Sequence, residues 1–190
     1  MKNKLKILNS ILIIFILFQS ILPVISNAVT IKNTVDTKNN YYYISDLDYI
    51  TENRWSYAGY GNIMKDKNID GGKISLLMDG TRVYFNKGMG AHASSQLTYD
   101  ISKYSDIYTR FVAKLGIDSS QDGKGEVWFK VLASNDGTEW TELYKSNPIT
   151  SKQNAIEINV NIANYKYLRL LADKNGADSN DHSVYADARI

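Results

Sequence analysis

The two histidines of this 190-residue chain lie in short segments whose residue types suit a polar ligand. His92 belongs to residues 87–95 (KGMGAHASS), where two glycines permit a backbone turn and Ser94 and Ser95 follow the imidazole. The segment predicts a loop at the end of a sheet, with His92 in contact with a polar ligand. The alternative is a tight corner around a structural histidine, because a Gly-x-Gly pattern is weak evidence.

The second polar segment, residues 178–187 (DSNDHSVYAD), places oxygen-bearing side chains beside His182. Hard oxygen ligands suit Ca²⁺, although the segment lacks the glutamate of a twelve-residue calcium loop. A further acidic loop, residues 118–123 (DSSQDG), has the same character. The alternative for both is a solvated turn rich in Asp and Asn.

Aromatic side chains form a third group, because the chain has 14 Tyr, 5 Phe and 3 Trp. They cluster in residues 55–61 (WSYAGYG), which contain Trp55 and Tyr60. Such rings offer a rigid apolar face and a polar tip, and the apolar face of a sugar can stack on them. The alternative is ordinary packing in the core and at its rim.

Several function classes are excluded by composition. The chain has no cysteine and only two histidines, so disulfides, thiolate zinc sites, iron–sulfur clusters and three-histidine metal sites are ruled out. It contains no Gly-x-Ser-x-Gly, no His-Glu-x-x-His and no glycine-rich phosphate loop. Nothing in the sequence therefore indicates catalysis.

Residues 1–28 have the three parts of a secretory signal: three early lysines, the apolar run 11–18 (ILIIFILF) and small residues at Ser26 and Ala28. A membrane anchor is the alternative, but it requires about 20 apolar residues. We expect cleavage after Ala28, a linker over 29–42, a domain over 43–190 and a secreted or cell-surface location in a bacterium. The chain without this signal has 19 basic and 20 acidic residues, a net charge of −1, which argues against a nucleic-acid partner.

The rest of the chain has the period-two alternation of β-strands. Residues 74–78 and 81–85 flank Asp79-Gly80, a strong hairpin signal. Alternating runs also occupy 107–115, 126–133, 155–161 and 167–172, and a last strand is expected over 184–190. About eight to ten such strands predict an all-β antiparallel sandwich of the jelly-roll type.

These segments, in this order, resemble the NPCBM domain family, equivalent to family 51 carbohydrate-binding modules. The similarity runs from about Tyr43 to Ile190. Residues 44–47 (ISDL) are similar to the family's SDL, 87–95 to its KGxGxHAxS and 111–118 (FVAKLGID) to its FxAxxGxD. The closing segment 181–188 (DHSVYADA) is similar to DHxxWADA, with tyrosine at the position where the family usually has tryptophan.

The resemblance implies a lectin-like sandwich that binds galactose-containing glycans without catalysis, usually beside a glycoside hydrolase domain, and that carries a structural calcium ion. The predicted sugar-binding residues are His92, Trp55, Tyr60, Asn180, Asp181, His182 and Tyr185, with Ser94 and Ser95 shaping the loop. The predicted calcium ligands are drawn from Asp118, Asp122, Asp178 and Asp187 with backbone carbonyls.

Two alternatives to a free-standing sugar-binding module stay open. The chain could be the N-terminal part of a glycoside hydrolase whose catalytic domain lies beyond Ile190, or a surface adhesion module that contacts other proteins.

Overall fold

The computed structural model describes residues 41–177 and 179–190. The signal predicted over 1–28 and nearly all of the linker predicted over 29–42 lie outside these residues. Tyr42 is described, and it exchanges two backbone hydrogen bonds with Ile190, at 2.8 and 2.9 Å. The folded domain therefore includes at least this residue of the expected linker. No helix in the described ranges has the length and apolar character needed to cross a bilayer.

Within the described residues the protein is built from twelve strands and four short 3₁₀ turns. The strands, in chain order, are β1 (Met64–Lys65), β2 (Ile74–Met78), β3 (Thr81–Phe85), β4 (Gly88–His92), β5 (Ser95–Asp100), β6 (Arg110–Ile117), β7 (Glu126–Ser134), β8 (Thr141–Lys145), β9 (Ile149–Thr150), β10 (Ile156–Asn161), β11 (Tyr167–Lys174) and β12 (His182–Arg189). The 3₁₀ turns span Ile44–Asp46, Glu52–Arg54, Ser102–Tyr104 and Ser119–Gln121.

Ten of these strands form two antiparallel sheets. The first sheet has the order β1-β4-β12-β6-β10, and the second has the order β5-β11-β7-β8 with β9 also paired to β7. The alternating strands turn one face of each sheet into a shared core, as in β7, where Val127, Phe129 and Val131 are fully buried. The predicted all-β antiparallel sandwich is confirmed.

Strands β2 and β3 form a separate hairpin over the outer face of the first sheet. Ile74 and Leu76 pack there against Val184 and Ala186 of β12. The turn at Asp79-Gly80 has φ of 50° and 75°, and positive φ at both central residues is what a tight two-residue hairpin turn requires. The predicted hairpin is confirmed residue for residue.

The segment around His92 departs from the prediction of a loop, because residues 88–92 form the buried strand β4. This strand pairs with β1 on one side and β12 on the other. A Cβ on Gly90 would lie 2.5 Å from the carbonyl oxygen of Lys67, and a Cβ on Gly88 would clash with the carbonyl oxygen of Tyr185. The glycines therefore serve close strand packing, and the turn itself begins only after His92.

Candidate functional site

A cleft of about 430 Å³ opens at the corner between β4 and β5. It is lined by Gly59, Tyr60, His92, Ala93, Ser94 and Lys174. The rings of Tyr60 and His92 lie edge to face, with centroids 5.9 Å apart. The structure thus brings together two of the predicted sugar-binding residues that lie 32 positions apart in the chain.

Close backbone contact holds the Tyr60 segment beside His92. The Gly59 N–H donates to the His92 carbonyl oxygen at 2.9 Å. A Cβ at Gly59 would lie 2.6 Å from the Ala93 carbonyl oxygen, so only glycine allows this approach. Tyr60 follows directly, and its side chain is 75% exposed, which leaves the ring available to a ligand.

The imidazole of His92 is oriented by its own corner. Only 8% of the residue is exposed, and its Nδ1 lies 2.6 Å from the Ala93 carbonyl oxygen. A carbonyl oxygen can only accept, so Nδ1 carries the hydrogen and Nε2 of the neutral ring is an acceptor. The corner therefore fixes the tautomer that can accept a hydrogen bond from a hydroxyl group.

His182 lies opposite His92, because the two residues are partners in the register of β12 and β4. The ring centroids are 5.5 Å apart, and Nδ1 of His182 lies 3.2 Å from Oδ2 of Asp70. Burial is the main influence on its pKa and lowers it, His92 lowers it further, and the Asp70 carboxylate partly opposes both. His182 is therefore neutral at pH 7.

Because the pKa of His182 is lower in the folded state, protonation favours unfolding. Its contribution to stability is complete above the unfolded pKa of about 6.5 and is lost as the pH falls below it. We expect the free energy of unfolding to fall between pH 7.5 and 5.5 by less in His182→Gln than in the wild type. Urea unfolding at both pH values measures this, and an equal fall in the two proteins would contradict it.

Ser94 lines the cleft, and its hydroxyl is bonded to Asp173. The Ser94 hydroxyl donates to Asp173, whose carboxylate also accepts the Lys174 N–H at 2.9 Å. Ser95 is buried, with 2% of its surface exposed. Ser95 is thus closed to a ligand, whereas Ser94 lines the cleft with its hydroxyl engaged by Asp173.

Two further residues that were predicted to contact sugar, Asn180 and Asp181, lie directly before β12. Asp181 is fully buried, its Oδ1 accepts the Glu126 N–H at 2.8 Å, and its carbonyl oxygen accepts the Ala93 N–H at 2.9 Å. Asn180 has a left-handed backbone with φ of 65°, and its carbonyl oxygen accepts the His182 N–H at 2.9 Å. Asp181 therefore positions the corner from the interior, and the prediction that it contacts sugar is corrected.

Tyr185 is also misplaced by the sequence prediction. Its ring is fully buried and packs edge to face on Phe129 with centroids 5.4 Å apart. Side chains alternate along β12, so Tyr185 points into the core between the sheets, while Val184 and Ala186 point to the opposite face. Tyr185 cannot form a stacking face for a sugar.

Trp55 is partly exposed but does not line the cleft. Its ring contacts those of Trp140 and Tyr167, with centroids 6.4 and 5.6 Å away. Trp140 lies directly before β8, and Tyr167 lies on β11 of the second sheet. The structure therefore separates Trp55 from His92 and Tyr60.

Three of the four predicted calcium ligands lie among the described residues, and these three do not form a common site. Asp118 is fully buried, and its carboxylate accepts hydrogen bonds from Ser75 and Ser120 at 2.9 to 3.1 Å. Asp187 pairs with Arg189 at 2.5 Å, and Asp122, at the other end of the short 3₁₀ turn that follows Asp118, is exposed. Across residues 41–177 and 179–190, no group of three or more His, Asp or Glu side chains could hold a metal ion.

The described aspartates thus do not fit a shared calcium ion, and the fourth candidate, Asp178, lies outside the described residues. Calcium binding itself stays a prediction. A stabilising ion raises the thermal unfolding midpoint by mass action, so the midpoint is expected to fall when chelator replaces calcium. A midpoint that is the same in both conditions would contradict it.

Some residues of the site carry no signal in the sequence. Asp70 reaches His182 across 112 positions, and Lys174 reaches the cleft from the end of β11. Neither lies in a motif, and each contact depends on sheet order. The close approach of Gly59 to the His92 corner was not predicted either.

A family model described as the NPCBM/NEW2 domain matches residues 40–190. The chain belongs to this family. Its fold is similar to CBM51 from Clostridium perfringens GH95 in complex with methyl-galactose, with a TM-score of 0.70 and 28% identity over 78% of this chain and 98% of that one. It is also similar to CBM51-2 from Clostridium perfringens ZmpB, a structure in complex with GlcNAc, with a TM-score of 0.68, 26% identity and coverage of 78% and 31%.

A curated relative is the blood-group-substance endo-1,4-beta-galactosidase of Clostridium perfringens, 33% identical over 169 residues. The match covers 78% of this chain and 20% of the galactosidase, so the chain spans about a fifth of that enzyme's length. Family membership and the carbohydrate-binding neighbours identify the chain as a non-catalytic carbohydrate-binding module. The family and function class predicted from the sequence are confirmed.

Proposed function

We propose that the cleft at His92 and Tyr60 binds a terminal sugar of galactose-containing glycans. The observation that carries this proposal is the pairing of an exposed aromatic ring with an oriented hydrogen-bond acceptor in one cleft. Binding is reversible and involves no covalent step. A module of this kind acts outside the cell, and we propose that residues 1–28 direct its export.

The chemistry of galactose suits these two groups. Because its C4 hydroxyl is axial, the opposite face of the sugar ring presents C–H groups and is apolar. That face can stack on the ring of Tyr60. A hydroxyl group can donate to Nε2 of His92, which the Ala93 carbonyl oxygen keeps unprotonated in the neutral ring. A sugar oriented by one stacking face and one directional hydrogen bond is distinguished from its epimers by where its hydroxyl groups point.

The stacking role predicts a loss of affinity in Tyr60→Ala. We expect galactoside binding to weaken about three- to tenfold, because the variant removes one aromatic contact from an otherwise intact cleft. Calorimetric titration with methyl-galactoside measures it. Tyr84→Ala is the matched control, because Tyr84 is a 59% exposed tyrosine on β3 that does not line the cleft.

The two variants separate stacking from a general effect of losing a surface ring. If Tyr60→Ala binds as tightly as Tyr84→Ala, the ring of Tyr60 is not part of the sugar site.

A further inference from the structure

The three tryptophans of the chain lie outside the core. Trp128 alternates along β7 with the buried Val127 and Phe129, so it stands on the outer face of the second sheet. Trp55 and Trp140 lie over the same sheet, where both rings are near the guanidinium of Arg169 on β11. Because neighbouring aromatic rings at a surface form a contiguous apolar patch, this placement indicates a ligand-binding surface.

Arg169 is the centre of this surface. Its Cζ lies 3.7 Å from the ring centroid of Trp140 and 5.9 Å from that of Trp55. Its Nε donates to Oγ1 of Thr98 at 3.1 Å, and burial lowers its pKa from the ordinary value. The guanidinium stays charged at neutral pH, because arginine is protonated far above it.

This partly buried charge has no carboxylate partner within the described part of the chain. Asp136, at the turn that precedes Trp140, accepts backbone N–H groups of Thr138 and Glu139 at 2.8 and 2.9 Å instead. Desolvating a cation without an opposite charge is costly, and stacking on a tryptophan offsets only part of that cost. Four N–H groups of the Arg169 fork have no protein acceptor among residues 41–177 and 179–190.

A second arginine directly precedes Trp55 in the chain. Cζ of Arg54 is 5.8 Å from the ring centroid of Tyr57, and that tyrosine is 37% exposed. Arg54 likewise makes no ion pair with the described residues. Each of the two arginines therefore lies beside at least one aromatic ring.

The aromatic walls are held by the backbone before any ligand arrives. The Trp55 carbonyl oxygen accepts the side-chain amide of Gln96 at 2.8 Å and the hydroxyl of Thr98. The Trp140 Nε1–H donates to the Gly137 carbonyl oxygen at 3.2 Å, and Gly137 packs so tightly on the Trp55 ring that a Cβ would not fit. Such pre-organisation lowers the entropy cost of binding.

We propose that Trp55, Tyr57, Trp140, Arg54 and Arg169 form a second ligand site, the aromatic cradle, which binds the carboxylate of an acidic sugar. The guanidinium of Arg169 donates two N–H hydrogen bonds to the carboxylate. The rings of Trp55, Tyr57 and Trp140 contact the apolar face of the sugar. A uronic acid and a sialic acid share this chemistry. The cradle includes none of the residues that line the His92 cleft.

The tryptophans give this site its own optical signal. All three belong to the outer face of the second sheet, and none lines the His92 cleft. The intrinsic fluorescence of the full chain should therefore change on titration with glucuronic acid or N-acetylneuraminic acid. Methyl-galactoside, bound at the His92 cleft, should leave it unchanged.

The decisive variant is Arg169→Met, which keeps an apolar stem against Trp140 and removes the charged fork. We expect the acidic sugar to bind at least about tenfold more weakly to it, while Arg110→Met, which alters an exposed arginine bonded to Asn159 on the first sheet, binds as the wild type does. The two acids together identify which carboxylate source is preferred.

Three results would overturn the proposal: no saturable fluorescence change with either acid, an equal response to neutral glucose, or unchanged affinity in folded Arg169→Met. If that variant does not fold, chemical-shift mapping on the wild-type protein decides, since the acid must perturb the indole N–H signals of Trp55 and Trp140. Failure here leaves galactoside binding at His92 intact, so the two sites are tested separately.

Discussion

Replacing His92 with alanine is expected to weaken methyl-galactoside binding by at least about tenfold while the sandwich stays folded. The variant removes the Nε2 acceptor of His92, whose ring tautomer is fixed by the hydrogen bond from Nδ1 to the Ala93 carbonyl oxygen. A buried hydrogen bond contributes about 1 kcal/mol, and a sugar hydroxyl left without its acceptor costs more. Calorimetric titration of both proteins at neutral pH measures the loss.

The control for this variant is His92→Gln. A glutamine amide carries both a donor and an acceptor, so it can keep part of the hydrogen bonding with less change in volume. We expect its affinity to lie between those of the wild type and His92→Ala. Equal affinity for all three folded proteins would remove His92 from the sugar site.

Replacing Tyr185 with alanine is expected to lower the free energy of unfolding by about 3–5 kcal/mol, the usual cost of deleting a buried aromatic ring. Tyr185 is fully buried against Phe129. Its hydroxyl has no hydrogen-bond partner among the described residues, and burial raises its pKa well above the ordinary value. Tyr185→Phe should therefore be neutral or stabilising, because it removes an unpaired buried hydroxyl.

Urea unfolding of the two Tyr185 variants measures these effects, and a galactoside titration of the stable one completes the test. We expect Tyr185→Phe to bind with wild-type affinity, because its ring does not reach the cleft. A Phe variant that is fully stable but binds weakly would return Tyr185 to the sugar site. A Phe variant as unstable as Tyr185→Ala would show that the hydroxyl has a partner.

Local pattern predicted most of the strands. Alternation at β7 marked its buried face correctly, and Asp79-Gly80 marked the hairpin, because both signals depend on neighbours in sequence. Strand β4 was missed, since its two glycines and one alanine give no clear alternation of hydrophobicity. Their smallness serves contacts with distant backbone, such as that of Gly90 with Lys67, which a single sequence does not reveal.

The candidate site was predicted only in part, for the same reason. His92 and Tyr60 were chosen by residue type and lie together, whereas Trp55 was chosen on the same grounds and lies elsewhere. Asp181 and Tyr185 are too buried to contact a sugar, and their burial depends on which face of a strand turns inward. The relation of Trp55 to Arg169 needs the order of strands in the second sheet.

The most direct test of galactoside binding at the His92 cleft is chemical-shift mapping with methyl-galactoside. We expect saturable shifts at Gly59, Tyr60, His92 and Ser94, which line the cleft, and none at the indole N–H groups of the three tryptophans. Shifts centred on Trp55 and Trp140 would place the neutral sugar on the aromatic cradle instead. Such a result, or no saturable shift from folded protein, would contradict the assignment of the cleft.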